Sequence, residues 1–410
     1  MPTDPRRTTD AVCQLRERVA GLTAWPHVAD KAATRVLGGA TPCGAALLFA
    51  RLAEEGRPGF LITATQNEAE DIHAALRAFA PDGATIVFFP ATERLSAEKP
   101  DPAAVSLRLR ACRLLLERRE RLLAVAPVQA VVEETPAPAD LARGVRAIAL
   151  GAALDPDELA AALAGAGFTR LPQVERPGDF ARRGGILDVF PYGRERPVRI
   201  ELDGDRAAGI REFDPTTQVS TGALPSADLV LCAPPTGAVL VPPERTVLAY
   251  LPDGVVLGCV EEGEIRDKAY RLGLHAGLPG ARAARGIDAL LDRPRLKLAR
   301  LTPPEASGEL PFARRAPLGA SIEATCALIK GYLGLGWTYI VFCSNEGERD
   351  KLRSLFGDNG LVEGPSLEFA LGDLRDDAGV LRHQVVAAHA RHAGEAGGDD
   401  HHIRTRDRGV

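Results

Sequence analysis

Two stretches of this 410-residue chain hold residue types that could do chemistry. The first is Gly39-Ala40-Thr41-Pro42-Cys43-Gly44-Ala45-Ala46. Its two glycines, set between a short apolar run and a helical one, have the spacing of a phosphate-binding loop, G-x4-G-K-[ST]. That chemistry needs a lysine to neutralise the β- and γ-phosphates and a hydroxyl to hold magnesium. Ala45 and Ala46 occupy those two positions. Backbone N–H groups and the helix dipole alone give a triphosphate weak support. The stretch predicts a phosphate loop that has lost its ATP site, or else an unrelated Gly-rich turn.

The second stretch runs from Arg182 to Gln218. Ile186 to Phe190 is a strand candidate, and Ile210 to Phe213 is another, stopped by Asp214-Pro215. Between them Val198, Ile200 and Leu202 alternate with Arg199, Glu201 and Asp203, the period of a half-buried strand. Gly204-Asp205 can make the tight turn. This is a small antiparallel meander with Arg199 projecting from its polar side, where an exposed arginine contributes little to folding. Arg183 precedes Gly184-Gly185, which carry no side chains to obstruct a partner. Arginine suits a docking role because its planar fork can take a carboxylate through two parallel hydrogen bonds. Two alternatives stand beside that reading: a surface sheet with solvated charges, and an intramolecular pair between Arg199 and Asp203. Residues 170–214 hold nine Arg and nine Asp or Glu, a balance that favours a charge-patterned protein interface over a phosphate-binding strip.

The same stretch carries R-G-G-x-x-D-x-F-P at Arg183 to Pro191, P-x-R-I-E-x-x-G-D at Pro197 to Asp205, and I-R-x-F-D-P-x-T-Q at Ile210 to Gln218. These runs resemble the insertion domain shared by the excision-repair protein UvrB and the transcription-repair coupling factor, and F-D-P-x-T-Q is closer to the coupling factor. Phe89-Pro-Ala-Thr-Glu-Arg-Leu95 and the run Phe342 to Arg349 are similar to other parts of the coupling factor. Ser96-Ala97-Glu98 departs from the Pro-Tyr-Glu usual there. The resemblance implies a docking surface for the damage-recognition ATPase UvrA, with partner contacts at Arg183 and Arg199. Asp203 stands where the family often has an aromatic residue, and losing a buried aromatic anchor weakens docking or changes partner preference. It also implies that the N-terminal domain is a degenerate, RecA-like P-loop domain without nucleotide binding. In complete relatives an RNA-polymerase-binding domain and a DNA translocase follow. Neither is present here, so the chain reads as truncated or frameshifted after about residue 390.

The elements that must position these residues follow from the pattern of the chain. Residues 9–22 read as an amphipathic helix. Strands at Thr34 to Gly38, Gly59 to Thr63, Thr85 to Phe89 and Leu122 to Ala126 alternate with helices, and Thr65-Gln-Asn-Glu68 forms a capping box. That alternation means a parallel sheet with helices on its faces. Asp155-Pro156-Asp157-Glu158 opens a helix ahead of the meander. Val247 to Leu251 and Val255 to Val260 read as buried strands that rejoin the first sheet, and Glu261-Glu262 is given no role. Residues 303–320 form a Pro-rich linker, and Ser321 to Phe356 a helix–strand–helix unit. The fold class is thus α/β. A degenerate P-loop domain (1–144 and 237–310) is interrupted by an α+β UvrA-docking domain (145–236). A small α/β domain (316–390) and a disordered tail (391–410) follow, with His401-His402 in the tail and not at a metal site.

A net charge of −5 argues against coating nucleic acid by charge. Seven scattered cysteines with no CxxC spacing point to a reduced cytoplasm and to no metal site. No apolar run reaches membrane-spanning length. No spacing supports a catalytic constellation, and no cofactor or enzymatic activity is expected. The competing reading is an active ATP-dependent DNA translocase or helicase of the UvrB type.

Overall fold

Short apolar runs build the first sheet, and Thr41 and Thr65 cap the helices that follow the first two of them. The structure is a computed structural model. It describes residues 12–13, 16–17, 34–92, 101–117, 121–232, 238–292, 296–310, 312–314, 321–335, 338–343, 345–371, 379–381 and 384–387. Most of the expected first helix, the 391–410 tail and His401-His402 lie outside the described residues.

Strand β1 (Arg35–Gly38) leads into α1 (Pro42–Glu54), β2 (Gly59–Thr63), α2 (Gln66–Phe79), β3 (Thr85–Phe88), α3 (Pro102–Glu117) and β4 (Leu122–Pro127). Short helices α4 (Val128–Val132) and α5 (Pro138–Arg143) precede β5 (Val145–Ala149) and α6 (Pro156–Gly165). Then come β6 (Thr169–Arg170), β7 (Asp179–Arg183), β8 (Ile186–Val189), β9 (Val198–Asp203), β10 (Arg206–Phe213), β11 (Ser220–Ala223) and β12 (Ser226–Val230). The chain returns through β13 (Val256–Val260), α7 (Glu262–His275), α8 (Gly280–Leu291), β14 (Leu296–Leu298) and β15 (Gly308–Glu309). It continues with β16 (Phe312–Arg314), α9 (Ile322–Gly334), β17 (Thr338–Cys343), α10 (Glu346–Asp358), β18 (Leu367–Leu371), β19 (Gly379–Leu381) and β20 (Gln384–Ala387).

The first sheet has the order β15-β1-β14-β13-β2-β4-β3, and its pairings are all parallel. Strands β2, β4 and β13 are buried along their whole length, as a sheet covered on both faces requires. Helix α1 lies close on one face. A Cβ at Gly59 would come within 2.5 Å of the Phe49 ring and one at Gly258 within 2.9 Å, so these glycines admit the ring. Of the expected capping box the N-cap half forms: Glu68 N–H donates to Thr65 Oγ1 at 3.3 Å, while the Glu68 carboxylate turns to Arg300. At α6, Asp155 accepts from the N–H groups of Asp157 (2.8 Å) and Glu158 (3.2 Å).

Residues between β4 and β13 build their own sheets. One has six strands in the order β11-β10-β9-β8-β7-β6, and β5 pairs antiparallel with β12. The meander read from the sequence, β8 to β10, is therefore the middle of a larger sheet. A single apolar cluster runs from Phe60 and Val87 of the parallel sheet through Leu115 of α3 to Leu187, Val198 and Ile200, so the two sheets share a core. The third sheet, order β16-β19-β20-β17-β18, abuts α2, where Phe79 and Phe342 meet edge to face at 5.7 Å.

Two expectations are corrected. Val247–Tyr250 is a 3-10 helix, not a strand. Thr246 caps it by accepting from Leu248 N–H at 3.2 Å, and the place beside β2 is taken by β13. A four-residue apolar run cannot by itself distinguish a strand from a buried turn. Residues 303–320 are also not all linker. Gly308–Glu309 adds a parallel strand to the edge of β1, and Phe312–Arg314 pairs with β19.

Candidate functional site

The phosphate-loop stretch is short and self-satisfied. Gly39, at φ 70°, makes the turn out of β1, and Ala40 N–H donates to Ala299 O at 2.9 Å. Thr41 then caps α1. Its Oγ1 accepts from Gly44 N–H at 3.0 Å and its carbonyl from Ala45 N–H at 2.8 Å, while Pro42 has no N–H to offer. Gly44, Ala45 and Ala46 thus lie in the first turn of α1, and both alanines are fully buried in the core. The amides of Ala40, Gly44 and Ala45 are thus engaged by the chain itself.

Next to Ala299, which Ala40 contacts, an ion-pair cluster lies at the C-terminal edge of the parallel strands. Arg300 pairs with Glu68 at 2.9 Å and with Glu264 at 2.7 Å, and its N–H donates to Glu261. Glu262 pairs with Lys297 at 2.6 Å. Burial pushes the Glu68 carboxyl up, against the hydrogen bond and charge of Arg300. Sequence reading missed Arg300, because its partners come from strands and helices far away in the chain.

The six-stranded sheet has one face on the shared core and one facing out. Val198, Ile200, Ala207 and Ile210 point inward. Pairing register places the outer residues in rows: Arg183 opposite Ile186, Ile186 opposite Glu201, and Ala181 opposite Asp188, which is opposite Arg199. Arg183 and Arg199 therefore share the outer face, two strands apart and one pair-step along. The tight turn forms at Gly204-Asp205, with Asp203 opposite Arg206 and Gly204 at φ 60°.

Arg199 does not project. Its Nε donates to Asp188 Oδ1 at 2.7 Å and its Nη2 to Asp188 Oδ2 at 2.9 Å, while Nη1 reaches Gln218 O at 3.3 Å. The guanidinium lies 4.7 Å from the Phe213 ring centroid. The Arg199 side chain is 19% exposed and that of Asp188 only 3%. The hydrogen bond to Asp188 pushes the Arg199 pKa up. The intramolecular partner is thus Asp188, not Asp203. Asp203 is exposed four residues along the same strand, farther than a side chain can span back to a group already held.

Arg183 is the arginine that faces solvent. Its Nη2 donates to Pro172 O, and Gly184 at φ 56° turns the chain directly after it. Arg182 points to the other side and pairs with Asp157 of α6. Beneath the outer face a small apolar cluster of Val174, Ala181, Phe190 and Phe213 supports the Arg199–Asp188 pair. Of the predicted residues, Arg183, Arg199 and Asp203 are brought to one face. Gly39, Gly44, Ala45 and Ala46 are together at the start of α1.

The UvrB interaction domain family matches residues 147–231, a span that runs from β5 to just past β12 and takes in the whole six-stranded sheet. These residues are similar to a UvrB interaction domain. Beyond this domain, the chain is similar to the transcription-repair-coupling factor of Bacillus subtilis, 31% identical over 220 residues, which is 52% of this chain and 18% of that protein. It is similar to the transcription-repair-coupling factor of Myxococcus xanthus, 33% identical over 253 residues, covering 60% and 20%. It is also similar to UvrABC system protein B of Haemophilus influenzae, 30% identical over 215 residues, covering 48% and 31%. The chain spans less than a third of the length of these relatives. The chain therefore includes a region like that of coupling factors and UvrB proteins, and Arg183, Asp188, Arg199 and Asp203 all lie inside the residues that match the UvrB interaction domain. Among the described residues no helix is long and apolar enough to cross a membrane.

Proposed function

We propose that this chain is a UvrA-docking module that acts in nucleotide excision repair, as part of a transcription-repair coupling factor. In this reading a degenerate P-loop core, without ATPase activity of its own, carries the UvrB interaction domain as an insertion between β4 and β13. The observation that carries the reading is the coincidence of the matched span with a sheet whose outer face is built for a partner. Arg183 is exposed beside the half-exposed Ile186, and Arg199 and Asp188 stiffen the same face behind them. An apolar residue next to an exposed arginine that makes no ion pair among the described residues is the arrangement of an interface anchor. Support for the absence of ATPase activity is the capped, alanine-lined start of α1 and the ion-pair cluster beside it.

The test is titration of purified UvrA into the chain by calorimetry. Saturable binding with a one-to-one subunit ratio, weakened about tenfold or more by Arg183→Ala, is expected. Absence of binding by the unaltered chain would remove the reading.

A further inference from the structure

At the edge of the outer face lies a cleft that meets the shared motif only at Arg183. Strand β6 closes the sheet there, and Leu171 N–H donates to Phe180 O at 2.9 Å, which seats Leu171 beside Ala181. Arg170, Leu171, Pro172, Ala181, Arg182 and Arg183 line an open cleft of about 430 Å³. Leu171 is 39% exposed and Ile186 38%, with Arg183 directly opposite Ile186 in the sheet. Arg182 is neutralised by Asp157, but Arg170 and Arg183 make no ion pair among the described residues. The pairing of Arg170 with Phe180 sets it on the other side of the sheet edge from Arg183, so the cleft presents one uncompensated cation on each side of the edge with Leu171 between them.

We propose that this cleft receives an acidic segment of UvrA that carries a large apolar side chain. Its carboxylates reach Arg170 and Arg183 from the two sides of the sheet edge, and its apolar group sits over Leu171. The proposal rests on the docking reading above and adds the chemistry of the segment and the two residues, Arg170 and Leu171, that select it. Charge complementarity identifies the occupant. Guanidinium groups take carboxylates or phosphates with equal geometric ease. The apolar flanks, with the carboxylates of Asp157 and Glu201 at the margins, favour a peptide over a phosphate backbone. The net charge of −5 disfavours nucleic acid further.

Calorimetric titration of UvrA with variants tests this, after thermal unfolding has shown each variant to be folded. Arg170→Glu and Leu171→Ser each weaken binding about tenfold or more, whereas Arg170→Lys stays within about threefold of the unaltered chain. Leu301→Ser, at a residue 84% exposed and outside the six-stranded sheet, binds like the unaltered chain. If Arg170→Glu and Leu171→Ser both bind within about twofold of the unaltered chain while Arg183→Ala is weakened, the cleft is not used and the docking reading stands. If the unaltered chain does not bind UvrA, both fall together.

Discussion

Arg199 and Asp188 lie opposite each other on β9 and β8 and share two parallel hydrogen bonds, of 2.7 and 2.9 Å. The carboxylate is buried, and the guanidinium covers it while resting on Phe213. An arginine so engaged is part of the scaffold. To offer its fork to a partner it would have to leave a buried carboxylate behind, so under the proposed docking function the direct contacts would fall to Arg183.

Arg199→Ala is therefore expected to lower stability by about 2–4 kcal/mol, because it strands Asp188 away from water. Urea unfolding measures this. The double variant Asp188→Asn, Arg199→Leu should lose much less than the sum of the two single variants, since neither charge is then left alone. An Arg199→Ala protein with an unchanged urea midpoint would show that Asp188 is solvated and the pair is incidental.

The start of α1 predicts that Mg-ATP shows no saturable binding in the micromolar range by calorimetry. It also predicts that Ala45→Lys does not create a site. Ala45 is fully buried and the Gly44 amide is already held by Thr41, so a lysine there meets core and not phosphate. The expected outcome is a destabilised protein without ATP binding. Stoichiometric binding by the unaltered chain would overturn this account of the loop.

Glu68 gives a pH dependence of definite sign. Its carboxyl titrates above the ordinary value in the folded state because burial disfavours the charge. Stability linked to this group is full below the unfolded pKa, about 4.3, and is lost as pH rises through the higher folded value. Glu68→Gln removes that loss. The stability of Glu68→Gln relative to the unaltered chain should rise between about pH 4 and pH 7. Chemical denaturation across that range checks it, and a difference that falls with pH would mean that attraction to Arg300 outweighs burial.

Much of this was legible from local pattern. The helix starts at Thr65 and Asp155 follow from side chains that reach amides two or three residues on, and the turn at Gly204-Asp205 from residues that tolerate it. The alternation in β9 correctly put Arg199 on the outer face. Its partner was not legible. The connection from Phe190 to Pro197 is too long to fix how β8 registers against β9, and that register alone sets Asp188 opposite Arg199. Arg300 and Glu68 are 232 residues apart, and only the strand order of the parallel sheet brings them together. The strand expected at Val247 failed for a related reason: an apolar run reports burial, while the neighbouring strands decide whether a place in the sheet is vacant.

The pairing of β5 with β12 has a mechanical consequence. The two strands run antiparallel, with Val145 opposite Val230 at the end where the chain leaves and re-enters the core, and Ala149 opposite Ser226 at the other. Tension applied to the six-stranded sheet along this stem pulls both strands the same way. It travels through two covalent backbones side by side and places little load on the hydrogen bonds between them. A sideways pull is resisted elsewhere, because α3 holds β12 through Arg113 and Asp228 at 3.0 Å and the loop before β9 through Ser106 and Gly193 at 2.8 Å. The sheet is thus tethered like a load on a double cord with a lateral stay, able to pass a pull on its outer face into the parallel sheet without first coming undone.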